Sequence, residues 1–72
     1  MPAPLTHAPF SEADEAIRRK ALTLRAKLGM TVREFAANMG AKLPTVAHYE
    51  RGTLRWPVRY HALIERDLAK LK

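Results

Sequence analysis

Apolar residues recur along this chain at helical spacing, and nowhere with the period of two that marks a half-buried strand. The first run is Ile17, Ala21, Leu24 and Leu28, whose spacing puts all four on one face of a helix. Ser11 followed three residues later by Asp14 forms a capping box at its start. Glu12, Asp14 and Glu15 also suit the positive end of the helix dipole. Gly29 marks the stop, so a helix is predicted over 12–28. Leu22 falls off the stripe and is expected at the surface. Thr31 and Glu34 make a second box, and Val32, Phe35, Ala36 and Met39 a second apolar face, predicting a short helix over 32–39 closed by Gly40. A third helix is predicted over 43–51. Pro44 sits in its first turn, where a missing N–H does no harm, and Gly52 ends it. After a loop over 53–57, Tyr60, Leu63, Ile64, Leu68 and Leu71 predict a fourth helix over about 58–71. The expected fold class is therefore all-α, with four helices.

Residues 1–10 carry Pro2, Pro4 and Pro9 among small residues and read as a flexible, proline-rich tail ahead of one domain over 11–72. With 72 residues there is material for a single small domain, and no internal repeat is visible. The net charge of +6 is unevenly spread. Residues 1–17 hold three acids and no base, whereas 18–72 hold 13 bases against four acids, a body of +9. A body this basic suits a polyanion or an anionic surface.

Other classes fall away. Cysteine is absent, which excludes a disulfide framework and a thiolate metal site. His7, His48 and His61 are too far apart for a short ligand motif, so no metal and no cofactor are expected. No apolar run approaches the roughly 20 residues of a membrane span. The opening MPAPLTHAPF does not have the form of a secretory signal, and a cytoplasmic location is expected. No P-loop, GxSxG or HExxH is present, so the chain is not expected to be an enzyme, nor is a pocket for a small-molecule effector visible.

The two short central helices, joined by a tight turn, form a helix-turn-helix candidate over about 31–52. In such a unit the first helix holds the second against the core, and the second offers one face to a DNA major groove about 12 Å wide. At about 100° per residue, Val46 and Glu50 point one way, with Leu43 and Tyr49 at the margins. Pro44, Ala47, His48 and Arg51 point the other way, with Thr45 beside them. Val46 is then the core anchor.

These residues carry a resemblance. Leu24-Arg25, Gly29-Met30-Thr31, Glu34-Phe35-Ala36, Met39-Gly40, Thr45-Val46 and Tyr49-Glu50-Arg51-Gly52 together resemble the Cro/phage-repressor (XRE-like) helix-turn-helix family over about residues 21–68. The resemblance implies a lambda-repressor-like fold of four or five helices. It also implies a homodimeric transcriptional repressor on an inverted-repeat operator, of the autoregulatory kind carried by phages and plasmids. It further implies a largely buried ion pair between Arg25 and Glu50; a phosphate contact and a solvated side chain are the rival readings of Arg25. The sequence departs from the pattern where Val32 replaces a common Gln, and where Lys42, Leu43 and Pro44 replace polar residues.

On this reading the base-contacting candidates are Pro44, Thr45, Ala47 and His48. Pro44 and Ala47 offer only apolar contact, for instance to thymine methyls. The phosphate candidates are Arg33, Lys42, Arg51 and Arg55. Each has a plain alternative: a solvated charge for the basic residues, a local backbone bond for Thr45, an ordinary surface histidine for His48. Trp56 suits a satellite core position or a dimer contact. With Tyr60, Ile64, Leu68 and Leu71 it makes up the expected dimer interface. Two function classes remain: a DNA-binding repressor, and a protein-interaction module (an antitoxin-like partner or inhibitor) that keeps the scaffold while binding DNA weakly.

Overall fold

The computed structural model describes residues 11–71, which form four helices with no strand among them. The tail over 1–10 lies outside the described residues. The helices are α1 (Glu12–Leu28), α2 (Val32–Met39), α3 (Leu43–Arg51) and α4 (Val58–Lys70). The first three coincide with the spans read from the sequence, and the fourth ends one residue sooner, with Leu71 as its cap.

Local chemistry sets the boundaries. The Ser11 hydroxyl accepts from the Asp14 N–H, and the Asp14 carboxylate accepts from the Ser11 N–H. Thr31 and Glu34 repeat this reciprocal arrangement at α2. Each box satisfies N–H groups that a helix start leaves without partners. The turn between α2 and α3 reverses at Gly40, whose φ of 72° lies in the left-handed region that a Cβ disfavours. There the Ala41 N–H donates to the Ala36 carbonyl at 2.9 Å, closing the end of α2.

Helix α1 packs chiefly on α4 and also meets α3, while α2 packs on α3. Between them lies one core of Ile17, Ala21, Leu24, Phe35, Ala36, Met39, Val46, Tyr49, Trp56 and Ile64. The largest contributor is not on a helix. Trp56 is 1% exposed. Its ring stacks at a tilt on Tyr49, with centroids 4.5 Å apart, and meets Phe35 and Tyr60 edge-on at 6.3 and 5.6 Å. Such aromatic contacts add about 0.5–1.5 kcal/mol per pair beyond the buried area. Among the described residues the indole N–H has no hydrogen-bond partner. That leaves a cost of about 1–3 kcal/mol against the gain from the rings.

Three apolar assignments need correction. Trp56 and Ile64, expected at a dimer interface, are 1% and 0% exposed within a single chain, so no second copy can reach their side chains. Leu28, expected on the buried stripe of α1, is 37% exposed, because the chain turns away at Gly29 immediately after it.

Candidate nucleic-acid interface

Helix α3 is divided by burial along its length. Val46 and Tyr49 are buried on its inner side. Pro44, His48 and Arg51 are exposed on its outer side, and Thr45 and Ala47 are half-buried between the two. Lys42 occupies the N-cap with no side-chain cap bond. An ammonium here faces the positive end of the helix dipole, a mildly unfavourable position that an anion would relieve. Arg33 is exposed on α2.

The C-terminal end of α3 is folded back on itself. The His48 carbonyl accepts the N–H groups of Gly52 and Thr53 at 3.1 Å each. Gly52 makes this turn with a φ of 85°, and a Cβ built there would lie 3.6 Å from the Arg18 side chain. On the outer surface of this turn the His48 Nδ1 lies 2.8 Å from the Thr53 hydroxyl and 3.3 Å from Arg51 Nη2.

Two arginines of α1 hold this end in place. Arg25 Nε donates to Glu50 Oε2 at 2.8 Å, and its Nη1 donates to the Met30 carbonyl at 3.1 Å. The side chains of the pair are 30% and 12% exposed, so water reaches the cation and the pair is less buried than the resemblance implies. Arg18 is the residue that the sequence reading missed. Its Nη1 donates to the Glu50 backbone carbonyl at 3.1 Å, while Nε and Nη2 donate to the Glu15 carboxylate. That carboxylate holds the Arg18 guanidinium further toward its charged form, and the same bonds pull Glu15 below the usual carboxylate range. The available signal was spacing: Arg18 and Arg25 are seven residues apart, two turns along one face, and Glu15 precedes Arg18 by three.

The remaining candidates are more scattered. Arg55 lies with its Nε 3.8 Å from the Asp14 carboxylate, at the start of α1. Asp14 is held below its ordinary value chiefly by the Ser11 backbone N–H, aided by the Ser11 hydroxyl and the nearby positive charges of Arg55 and His61. Tyr60 and Leu68 are half-buried against the core. Leu71 is exposed at the far end of α4, whereas Leu54 and the 79% exposed Val58 flank its beginning. The outward apolar groups thus lie toward the two ends of α4, about 20 Å apart at 1.5 Å per residue. Among the described residues no cluster of His, Asp or Glu could hold a metal ion, and no helix is long and apolar enough to cross a membrane.

Comparison with known proteins returned no matching family model, no similar curated protein and no similar solved structure.

Proposed function

We propose that this chain is a sequence-specific double-stranded DNA-binding protein of the lambda-repressor-like helix-turn-helix type. In this reading it acts in the cytoplasm as a homodimeric repressor on an inverted-repeat operator, and α3 enters the major groove. The observation that carries the reading is the unit α2–turn–α3. Two short helices are joined by a three-residue turn containing Gly40, and the second has Val46 and Tyr49 inside and Pro44, His48 and Arg51 outside. A nine-residue helix is about 13 Å long, and its outer side fits a groove about 12 Å wide. The body charge of +9 supplies the sequence-independent attraction. Arg33, Lys42 and Arg51 are the phosphate contacts in this reading. Arg55 is further from that role, because Asp14 already neutralises part of its charge. Tyr60, Leu68 and Leu71, with Leu54 and Val58, are the side chains a second subunit can still reach.

Fluorescence-anisotropy titration of the DNA upstream of the reading frame, with a scrambled duplex as control, tests the proposal. A preference of about 10³-fold or more is expected. Three phosphate contacts from each of two subunits give a slope of log K against log salt near −5. Weak binding that ignores sequence overturns it. That outcome favours the protein-interaction reading, which has in its support the exposed Pro44, Leu54 and Val58.

A further inference from the structure

We infer that Arg18 is a positioning residue for DNA recognition: supplied from α1, it caps the C-terminal end of α3 and so fixes the turn that carries His48 and Arg51. The inference rests on the DNA-binding reading above and adds what aims the reading helix. A helix ends with four carbonyls that have no partner within it. In α3 these belong to His48, Tyr49, Glu50 and Arg51. The N–H groups of the following turn go to the first two. That of Gly52 is shared between His48 and Tyr49, and those of Thr53 and Leu54 go to His48. The Glu50 carbonyl is met from another helix, by Arg18 Nη1 at 3.1 Å. A cation there also faces the negative end of the α3 dipole.

The cap is held rigidly. Arg18 Nε and Nη2 donate side by side to the Glu15 carboxylate, at 3.2 and 2.8 Å. A guanidinium is planar, so fixing two of its nitrogens fixes the direction of the third. The side chain also lies across the turn, with Cδ and Nε 3.6 Å from where a Cβ on Gly52 would stand. Arg25 is a different tie. It holds the Glu50 carboxylate, at the end of a flexible side chain, whereas Arg18 holds the peptide itself. Every guanidinium nitrogen of Arg18 donates within the protein, and Glu15 balances its charge, so Arg18 is not a phosphate contact. What it directs are the exposed side chains of the last turn, His48 and Arg51. Without the cap this turn frays, while the first half of α3, with Pro44 and Thr45, stays anchored by the buried Val46.

Two measurements on the full chain test this. In the DNA-free protein, amide hydrogen exchange at Gly52 and Thr53, taken relative to Ala36 in α2, is about tenfold faster in Arg18→Ala, as expected for one lost charge-assisted bond. Unchanged relative rates overturn the inference. Next, affinity is measured by fluorescence anisotropy on the duplex that the wild type selects from a random library. An ordered end reduced to about a tenth of the population raises the Kd of Arg18→Ala about tenfold per subunit. The slope of log K against log salt stays within about 0.5 of the wild type, whereas a lost phosphate contact would lower it by about 0.9 per subunit. The loss shrinks to within about twofold when His48 and Arg51 are already alanine, and it persists in full beside Thr45→Ala, because Arg18 acts through the last turn. Arg18→Lys keeps the charge without the fork and leaves most of the loss in place. Should Arg18→Ala fail to fold, Glu15→Gln, which keeps Arg18 and weakens its fork, carries the same test at about threefold. Equal losses in every background, a shallower salt slope, full rescue by Arg18→Lys, or an affinity within about twofold of the wild type overturns this inference and leaves DNA binding standing. Failure of the wild type to select any sequence overturns both.

Discussion

Arg25→Ala tests how the end of α3 is held. The substitution removes a charge-assisted bond to Glu50 and a second bond to the Met30 carbonyl. It leaves a carboxylate that is only 12% exposed without its cation. Exposed pairs contribute about 0–1 kcal/mol, and breaking a fully buried pair from one side costs about 3–5 kcal/mol. With Arg25 itself 30% exposed, solvent screens part of the interaction, and an intermediate loss of about 2 kcal/mol is expected. For a domain of this length that corresponds to a fall in Tm of about 8–16 °C. Thermal unfolding followed by circular dichroism reads this directly, and urea unfolding provides the free energy. A double-mutant cycle with Glu50→Ala separates the pair from the Met30 contact, and a coupling of about 1–2 kcal/mol is expected. Arg25→Lys should recover only part of the loss, since an ammonium cannot reproduce the guanidinium's fork of donors toward both acceptors. A change below about 0.5 kcal/mol in Arg25→Ala, or a coupling near zero, refutes the reasoning: α3 would then be held by packing alone.

Other consequences follow from the same geometry. Trp56→Ala should cost about 3–5 kcal/mol and unfold much of the population, because it empties the centre of the core; a folded variant changed only in oligomeric state would contradict this placement. Trp56 is the only tryptophan in the chain, so its emission should shift to the red in step with the loss of helix. Asp14 has a folded-state pKa below the ordinary 3.8, so its contribution is complete above that value and disappears as the pH falls through the lower folded value. Asp14→Asn should accordingly flatten the loss of stability at acid pH, and an unchanged acid-unfolding curve speaks against the cap. Gly52→Ala should cost about 1–2 kcal/mol through its left-handed backbone alone, since the added Cβ would make only ordinary van der Waals contact with the Arg18 side chain; a neutral result by urea unfolding counts against the turn.

What the sequence determined by itself is the set of helices and, for α1, α2 and the end of α3, where they are bounded. Ser11 with Asp14, Thr31 with Glu34, and the glycines at 29, 40 and 52 act within four residues of the boundary they set, so no knowledge of the rest of the fold is needed. Period alone also assigned Ile17, Ala21, Leu24, Phe35, Ala36 and Met39 to the interior, because each repeats in register with its neighbours, and the helix-turn-helix reading added Val46 from its angular position on α3. The outer face of α3 was legible for the same reason: once Val46 is inside, the opposite side of a short helix is outside.

The tertiary structure decided matters that periodicity does not reach. Trp56 belongs to a loop with no repeat to place it, and its burial depends on the chain wrapping over the His48 carbonyl and bringing the indole against Tyr49 and Phe35. Leu28 fits the stripe of α1 yet is exposed, since burial requires a neighbour as well as a phase, and α2 turns away to pack on α3. In the sequence Arg18 looks like one more solvated charge in a basic chain, and Arg55 like a phosphate contact. Their partners, the Glu50 carbonyl 32 residues away and Asp14 near the other end of the sequence, are brought to them only once α1 lies across the end of α3. Local rules determine elements; partners distant in sequence, and the protonation and polarity they impose, are set by three-dimensional proximity.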